Sequence, residues 1–160
     1  HFSYLGPDTY NKGYYVLKET LNQLHKEGYK FQLNIYFEDA SEPFIVSHAP
    51  YQYSELGKVM DDADCVILPS WNETFGFTVL EALSYGVPVI VSSHVGAKDI
   101  VDEGKNGFVV EGNVDSLKTK LRSVLDKPEI LEDMNNYIVA NTHIKTMTEH
   151  SKEIKDLYQK

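Results

Sequence analysis

Two apolar runs of strand length, Cys65-Val66-Ile67-Leu68 and Val87 to Val91, flank one helical stretch. The residues between them, Pro69 to Pro88, read PSWNETFGFTVLEALSYGVP. Ser70-Trp71-Asn72-Glu73 is a polar turn, and a helical pattern begins between Thr74 and Gly76, with Phe77, Leu80, Ala82, Leu83 and Tyr85 at packed positions. Gly86 and Pro88 stop it, because glycine accepts a left-handed cap and proline cannot continue a helix. Two strands joined through a helix lie parallel. The alternation continues from Phe2 to the end of the chain. It predicts an α/β fold, a doubly wound parallel sheet of Rossmann-like type.

The remaining elements are read in the same way. Phe2 to Leu5 is a short strand and Gly6 to Asn11 a turn. A helix follows, with Val16, Leu17, Leu21 and Leu24 on one face and Gly28 as its stop. Phe31, Leu33, Ile35 and Phe37 alternate with polar residues, the period of a strand. Phe44-Ile45-Val46 is a shorter strand, and Ser54 to Asp62 a short helix capped by Ser54. Beyond the central stretch come a loop from Ser92 to Ala97, a strand at Phe108-Val109-Val110, a helix from Asn113 to Asp126 and another opened by Pro128. The last helix, residues 143–160, carries Ile144, Met147, Ile154 and Tyr158 on one stripe. It packs either on this domain or on another. Residues 1–160 are read as one domain.

Ligands of doubly wound sheets bind beyond the carboxyl ends of the strands. Lys12, Glu73, Gly76 and Glu81 all follow strands, so one edge gathers them. The start of the central helix offers unpaired amides and the positive end of a dipole, which favours an anion. Glu81 lies roughly 7.5 Å along the helix, at ~1.5 Å per residue. Carboxylates accept hydrogen bonds from hydroxyls, so the pattern suits a ligand with both phosphate and hydroxyl groups, as in a nucleotide sugar. A helical glutamate alone is ordinarily a solvated surface residue; the combination singles these out.

Glu73, Phe75-Gly76, Glu81-Ala82 and Gly86-x-Pro88-Val89-Ile90, with Pro69-Ser70 before them and Gly96, Asp99 and Asn106-Gly107 after, resemble the signature of retaining glycosyltransferases of the group 1 family. The resemblance spans most of residues 60–112. It implies the C-terminal, donor-binding half of a two-domain GT-B fold, with the N-terminal acceptor domain absent. It implies sugar transfer from a nucleoside-diphosphate sugar to an acceptor hydroxyl with retention, in bacterial polysaccharide, glycolipid or glycoprotein glycan synthesis. The implied donor-binding residues are Lys12, Glu73, Thr74, Phe75, Gly76, Phe77 and Glu81, with Glu73 also catalytic. Lys12 and the amides around Phe75, Gly76 and Phe77 would take the diphosphate, Glu73 the sugar hydroxyls and Glu81 the ribose. Such enzymes generally use no metal or other cofactor. The Ser47 to Tyr51 loop would run along the base. The family's arginine after the first strand's glycine is missing, since Gly6 is followed by Pro7. The fragment alone is expected to be inactive, and a glycan or lipid-linked acceptor would meet the missing domain. Two other readings share the fold: a nucleotide-sugar epimerase, and an interaction module that has lost its chemistry.

Composition narrows the partners. A net charge of −9 argues against sequence-independent nucleic-acid binding and against contact with an anionic membrane. The single cysteine, Cys65, excludes an internal disulfide and a cysteine metal cluster. Asp62-Ala63-Asp64 could hold a metal, but it joins a helix end to a buried strand. The histidines have no metal-ligand spacing; His94 alone lies on a loop expected to face the cleft. There is no export signal or 18-residue apolar run, and a cytoplasmic location is expected, where sugar nucleotides are made.

Overall fold

A computed structural model of the chain describes residues 1–141 and Lys155. The helix expected over 143–160 lies outside the described residues, apart from Lys155. Six strands, β1 (Phe2–Tyr4), β2 (Leu33–Ile35), β3 (Ile45–Ser47), β4 (Cys65–Leu68), β5 (Val89–Ser92) and β6 (Gly107–Val110), form one sheet in the order β3-β2-β1-β4-β5-β6. All five pairings are parallel. Among the described residues five α-helices flank it: α1 (Tyr14–Lys26), α2 (Leu56–Asp61), α3 (Phe77–Ser84), α4 (Val114–Asp126) and α5 (Glu129–Asn141). The strand order reverses direction between β1 and β4. Loops leaving these two strands diverge to opposite sides and open a crevice at their carboxyl ends.

Successive side chains of a strand point to opposite faces, and here both faces are covered. Phe2, Tyr4, Cys65 and Ile67 join Leu17, Leu21 and Leu24 of α1 and Leu117 and Leu121 of α4 in one core. Val66, Leu68, Val89 and Val91 join Leu56 and Met60 of α2 and Val79, Ala82 and Leu83 of α3 in the other. Removing one such leucine would cost about 2–5 kcal/mol in lost transfer energy and cavity. Cys65 is fully buried, and burial pushes its thiol up to about 12. It is an inert core residue.

Some elements differ from their sequence patterns. The strand predicted over Phe31–Phe37 is only Leu33–Ile35, and Asn34, a solvent position by alternation, is buried. Its face is closed by the end of α2: Asn34 donates to the Asp62 carbonyl at 3.4 Å and accepts from Gln32 at 2.7 Å. Ser54 caps nothing. A 3₁₀ turn, Tyr53–Glu55, precedes α2, and Gln52 with Glu55 forms a capping box. α4 starts at Val114 with Asn113 as its cap, accepting from the Ser116 amide at 2.9 Å. Within α3 the buried stripe is Val79, Ala82 and Leu83. Phe77 and Tyr85, placed inward by periodicity, are 70% and 49% exposed. A helix of two turns has room for one narrow stripe, and these two residues stand at its ends.

Candidate functional site

The β1–α1 and β4–α3 loops lie directly on each other at the crevice. Gly13, in the left-handed conformation at φ 74°, makes this possible: a Cβ there would stand 2.0 Å from the Pro69 carbonyl oxygen. Only glycine fits, because the conformation and the space both forbid a side chain. The Trp71 amide donates to the Asn11 carbonyl at 2.8 Å, and the Ser70 hydroxyl to the Lys12 carbonyl at 3.4 Å. Tyr4, at the end of β1, donates its hydroxyl to the Pro7 carbonyl at 2.8 Å. Lys12 therefore sits in a short turn just before α1, and its ammonium forms an ion pair with the Glu73 carboxylate.

Glu73 is fixed from its other side. Its amide donates to the His94 carbonyl at 3.3 Å, and its carbonyl accepts from the Gly96 amide at 2.9 Å. The Ala97 amide donates to the Phe75 carbonyl at 2.6 Å. The loop after β5 thus clamps the loop after β4 through backbone alone. Gly96 is packed so closely that a Cβ would meet the Thr74 carbonyl oxygen at 2.1 Å. Below the clamp, the Ser92 hydroxyl donates to the Ser70 carbonyl and accepts from the His94 amide.

α3 begins at this clamp. Its N-cap is Gly76, at φ 92°, and no side chain caps it. The Val79 amide donates to the Gly76 carbonyl at 2.9 Å, while among the described residues the Phe77 and Thr78 amides are left for solvent or a ligand, at the positive end of the helix dipole. The crevice holds a cavity of about 110 Å³, lined among others by Gly6, Pro7, Lys12, Ser70, Glu73 and Thr78. Among the described residues Lys12 is the one cationic side chain lining it.

Lys12 and Glu73 are thus brought together with Gly76 at the helix start. Thr74, Phe75 and Phe77 form an exposed rim, the two phenylalanine rings 4.8 Å apart. Glu81 stands apart from the cavity, half-buried on α3, and burial raises its carboxyl above the usual range. Its neighbour is Tyr51, whose phenol is raised by burial and then by the Glu81 charge. Trp71 is 41% exposed and stacks between Tyr10 and His94, with centroids 6.4 and 5.8 Å away. It joins the rim. Thr78 and Ser92 were not singled out by the sequence. Thr78 carries no signal beyond its place in the first turn of α3, and Ser92 none beyond its place at the end of a strand.

His48, read as a loop residue, hydrogen-bonds Asn34 through Nε2 at 3.0 Å and stacks on Tyr36. Asp62 and Asp64 precede β4, at the sheet edge opposite the crevice. Among the described residues no group of three or more His, Cys, Asp or Glu is placed to hold a metal ion, and no helix is long and apolar enough to cross a membrane.

Residues 26–140 match the family of glycosyl transferases group 1. The chain belongs to that family. Relatives include D-inositol 3-phosphate glycosyltransferase of Paenarthrobacter aurescens (strain TC1), 32% identical over 118 residues, covering 72% of this chain and 28% of the relative. Sulfoquinovosyl transferase SQD2 of Arabidopsis thaliana is 37% identical over 105 residues, covering 61% and 21%. The chain therefore spans less than a third of the length of these curated relatives. Among solved structures, Anabaena HepE in complex with UDP and glucose superimposes with a TM-score of 0.79 at 16% identity, over 99% of this chain and 48% of that one. Sucrose-phosphate synthase of Thermosynechococcus elongatus gives 0.77 at 17% identity, over 99% and 44%. These likenesses establish the GT-B type fold. The family match begins after Lys12, whereas the structural likeness includes it.

Proposed function

We propose that this chain is the C-terminal, donor-binding half of a retaining glycosyltransferase acting on a nucleoside-diphosphate sugar. The observation that carries the reading is the meeting of Lys12, Glu73 and the uncapped start of α3 in one crevice at the sheet's switch point. The family membership and the UDP named with the HepE structure support it. In this reading the diphosphate lies against the amides of Phe75, Gly76, Phe77 and Thr74's loop, with Lys12 on its flank. Glu73 accepts from hydroxyls of the sugar, and Glu81 from those of the ribose.

When the bond between the anomeric carbon and the diphosphate oxygen breaks, positive charge grows on the sugar and negative charge on the leaving group. Donors aimed at that developing negative charge lower the barrier, and Lys12 with the helix amides supplies them. The Glu73 carboxylate lies on the sugar side, where it orients the ring. No metal is assigned a role. The acceptor, a glycan or lipid-linked sugar, would be held by a second domain, and the reaction would take place in the cytoplasm.

The test is calorimetry of the 160-residue chain with UDP, GDP and ADP and with their sugar esters. One base should bind, and Glu81→Ala should weaken that ligand at least about tenfold, as for loss of a charged hydrogen bond. Absence of binding at millimolar nucleotide, or an unchanged affinity in Glu81→Ala, would overturn the reading.

A further inference from the structure

We infer that the Lys12–Glu73 ion pair is a competitor built into the site, through which the crevice discriminates between a sugar-bearing donor and the spent nucleoside diphosphate. The inference rests on the donor-site reading and deepens it. Lys12 and Glu73 retain 35% and 20% side-chain exposure, so their contact is shielded more than that of a surface pair. Each is the only side-chain partner of the other among the described residues. A diphosphate that takes the Lys12 ammonium must draw it from Glu73 or share it, since the ammonium has three N–H donors but a single charge. Either way it places its own negative charge beside a carboxylate whose one cation is now divided, and like charges at close range repel strongly in a partly dry site.

What the ligand carries next to the phosphates then decides the balance. A sugar brings hydroxyl donors, and these replace for Glu73 the hydrogen bonds that the ammonium withdrew. A diphosphate without a sugar brings none. The carboxylate gains no hydroxyl partner and keeps its hold on Lys12. Among the described residues no other cationic side chain lines the crevice. No arginine follows Gly6, and the chain's single arginine, Arg122, is paired with Glu27 at 2.7 Å on the α1–α4 side. With one lysine as the side-chain cation that the described residues bring to the site, its capture by Glu73 weighs heavily. Before transfer the sugar satisfies Glu73 and leaves Lys12 to the phosphates. After transfer the pair re-forms and the nucleotide is released.

Calorimetry of UDP and UDP-glucose, with the GDP–GDP-mannose and ADP–ADP-glucose pairs in parallel, tests this on the wild-type chain, Glu73→Gln and Glu73→Ala. Removing the carboxylate charge should tighten the free diphosphate about tenfold in both variants, the size of one charged hydrogen bond. The sugar ester should not tighten in Glu73→Gln and should weaken in Glu73→Ala, so the two ligands move in opposite directions. A wild-type chain that binds the diphosphate, with variants that bind it equally or more weakly, overturns the competition and leaves the donor site standing. Failure of all three proteins to bind any pair removes the donor site and the competition with it. Thermal melts of the variants confirm that the comparison is between folded proteins, and Glu73→Ala serves if Glu73→Gln does not fold.

Discussion

Glu81 is the residue whose ionisation most directly exposes the donor-site reading to experiment. It occupies the fifth position of α3, and burial raises its carboxyl above the usual range of about 4.3. An acceptor of ribose hydroxyls must be ionised, so affinity for a nucleotide sugar should fall as pH drops through that raised value. The esterified diphosphate of a nucleotide sugar does not titrate there, and comparison with Glu81→Gln separates this carboxyl from that of Glu73. In Glu81→Gln the fall in that window should be smaller than in the wild type, and a calorimetric pH series on the two proteins checks it. Folding responds with the opposite sign. The folded chain holds this proton more tightly than the unfolded chain, so the group adds stability as pH falls and withdraws it toward neutrality. Residues of this kind were legible from the sequence because Glu73, Gly76 and Glu81 belong to one short stretch. The pairing of Lys12 with Glu73 was not, since the two lie sixty-one positions apart and no local period connects them.

At the scale of elements, the site depends on one loop clamping another, and Gly96 is the point of closest approach. Its own backbone has an ordinary negative or extended conformation, so the constraint is space alone: a Cβ would stand 2.1 Å from the Thr74 carbonyl oxygen. Gly96→Ala should cost about 1–3 kcal/mol and weaken the donor about tenfold, because the loop that must move carries Glu73. Gly104 is the control. It has φ 78° with nothing within 4 Å of a Cβ, so Gly104→Ala meets only the left-handed penalty of about 1–2 kcal/mol and should leave donor affinity unchanged. A melt and a donor titration on both variants separate lost stability from lost positioning; equal donor affinities would mean that the clamp does not set the position of Glu73. The same scale shows where pattern reading stops. The strand–turn–helix–strand unit from Cys65 to Ser92 was legible because an apolar run, a glycine and a proline punctuate it. β2 was read correctly as a strand but longer than Leu33–Ile35, and its alternation marks no solvent face because this sheet has helices on both. Phe77 was placed inward because its spacing fits the helix, while its position at the helix start lifts it onto the rim.

For the whole molecule, the decisive quantity is how much of a donor the crevice encloses. A cavity of about 110 Å³ is small beside the ~300–1,000 Å³ of sites that surround a ligand. Among the described residues the crevice is formed by loops from β1, β4 and β5 on one side, and the rim residues Tyr10, Trp71, His94 and Phe77 are exposed. In the donor-site reading one wall holds the diphosphate on helix amides and a lysine. It does not exclude water from the anomeric carbon or present an acceptor hydroxyl to it, and both are needed for transfer. A chain of this length buries roughly 70% of its unfolded surface, and the two cores on either side of the sheet are complete enough to give one cooperative melt. The isolated chain should therefore fold and bind the donor, yet transfer sugar at a rate at least about a hundredfold below that of a longer protein containing it. The check is a transfer assay with the donor identified by calorimetry, run on the 160-residue chain and on a two-domain protein of the length of its curated relatives. Equal rates would mean that the wall formed by these residues is the whole active site, and that the second domain is not needed to close it.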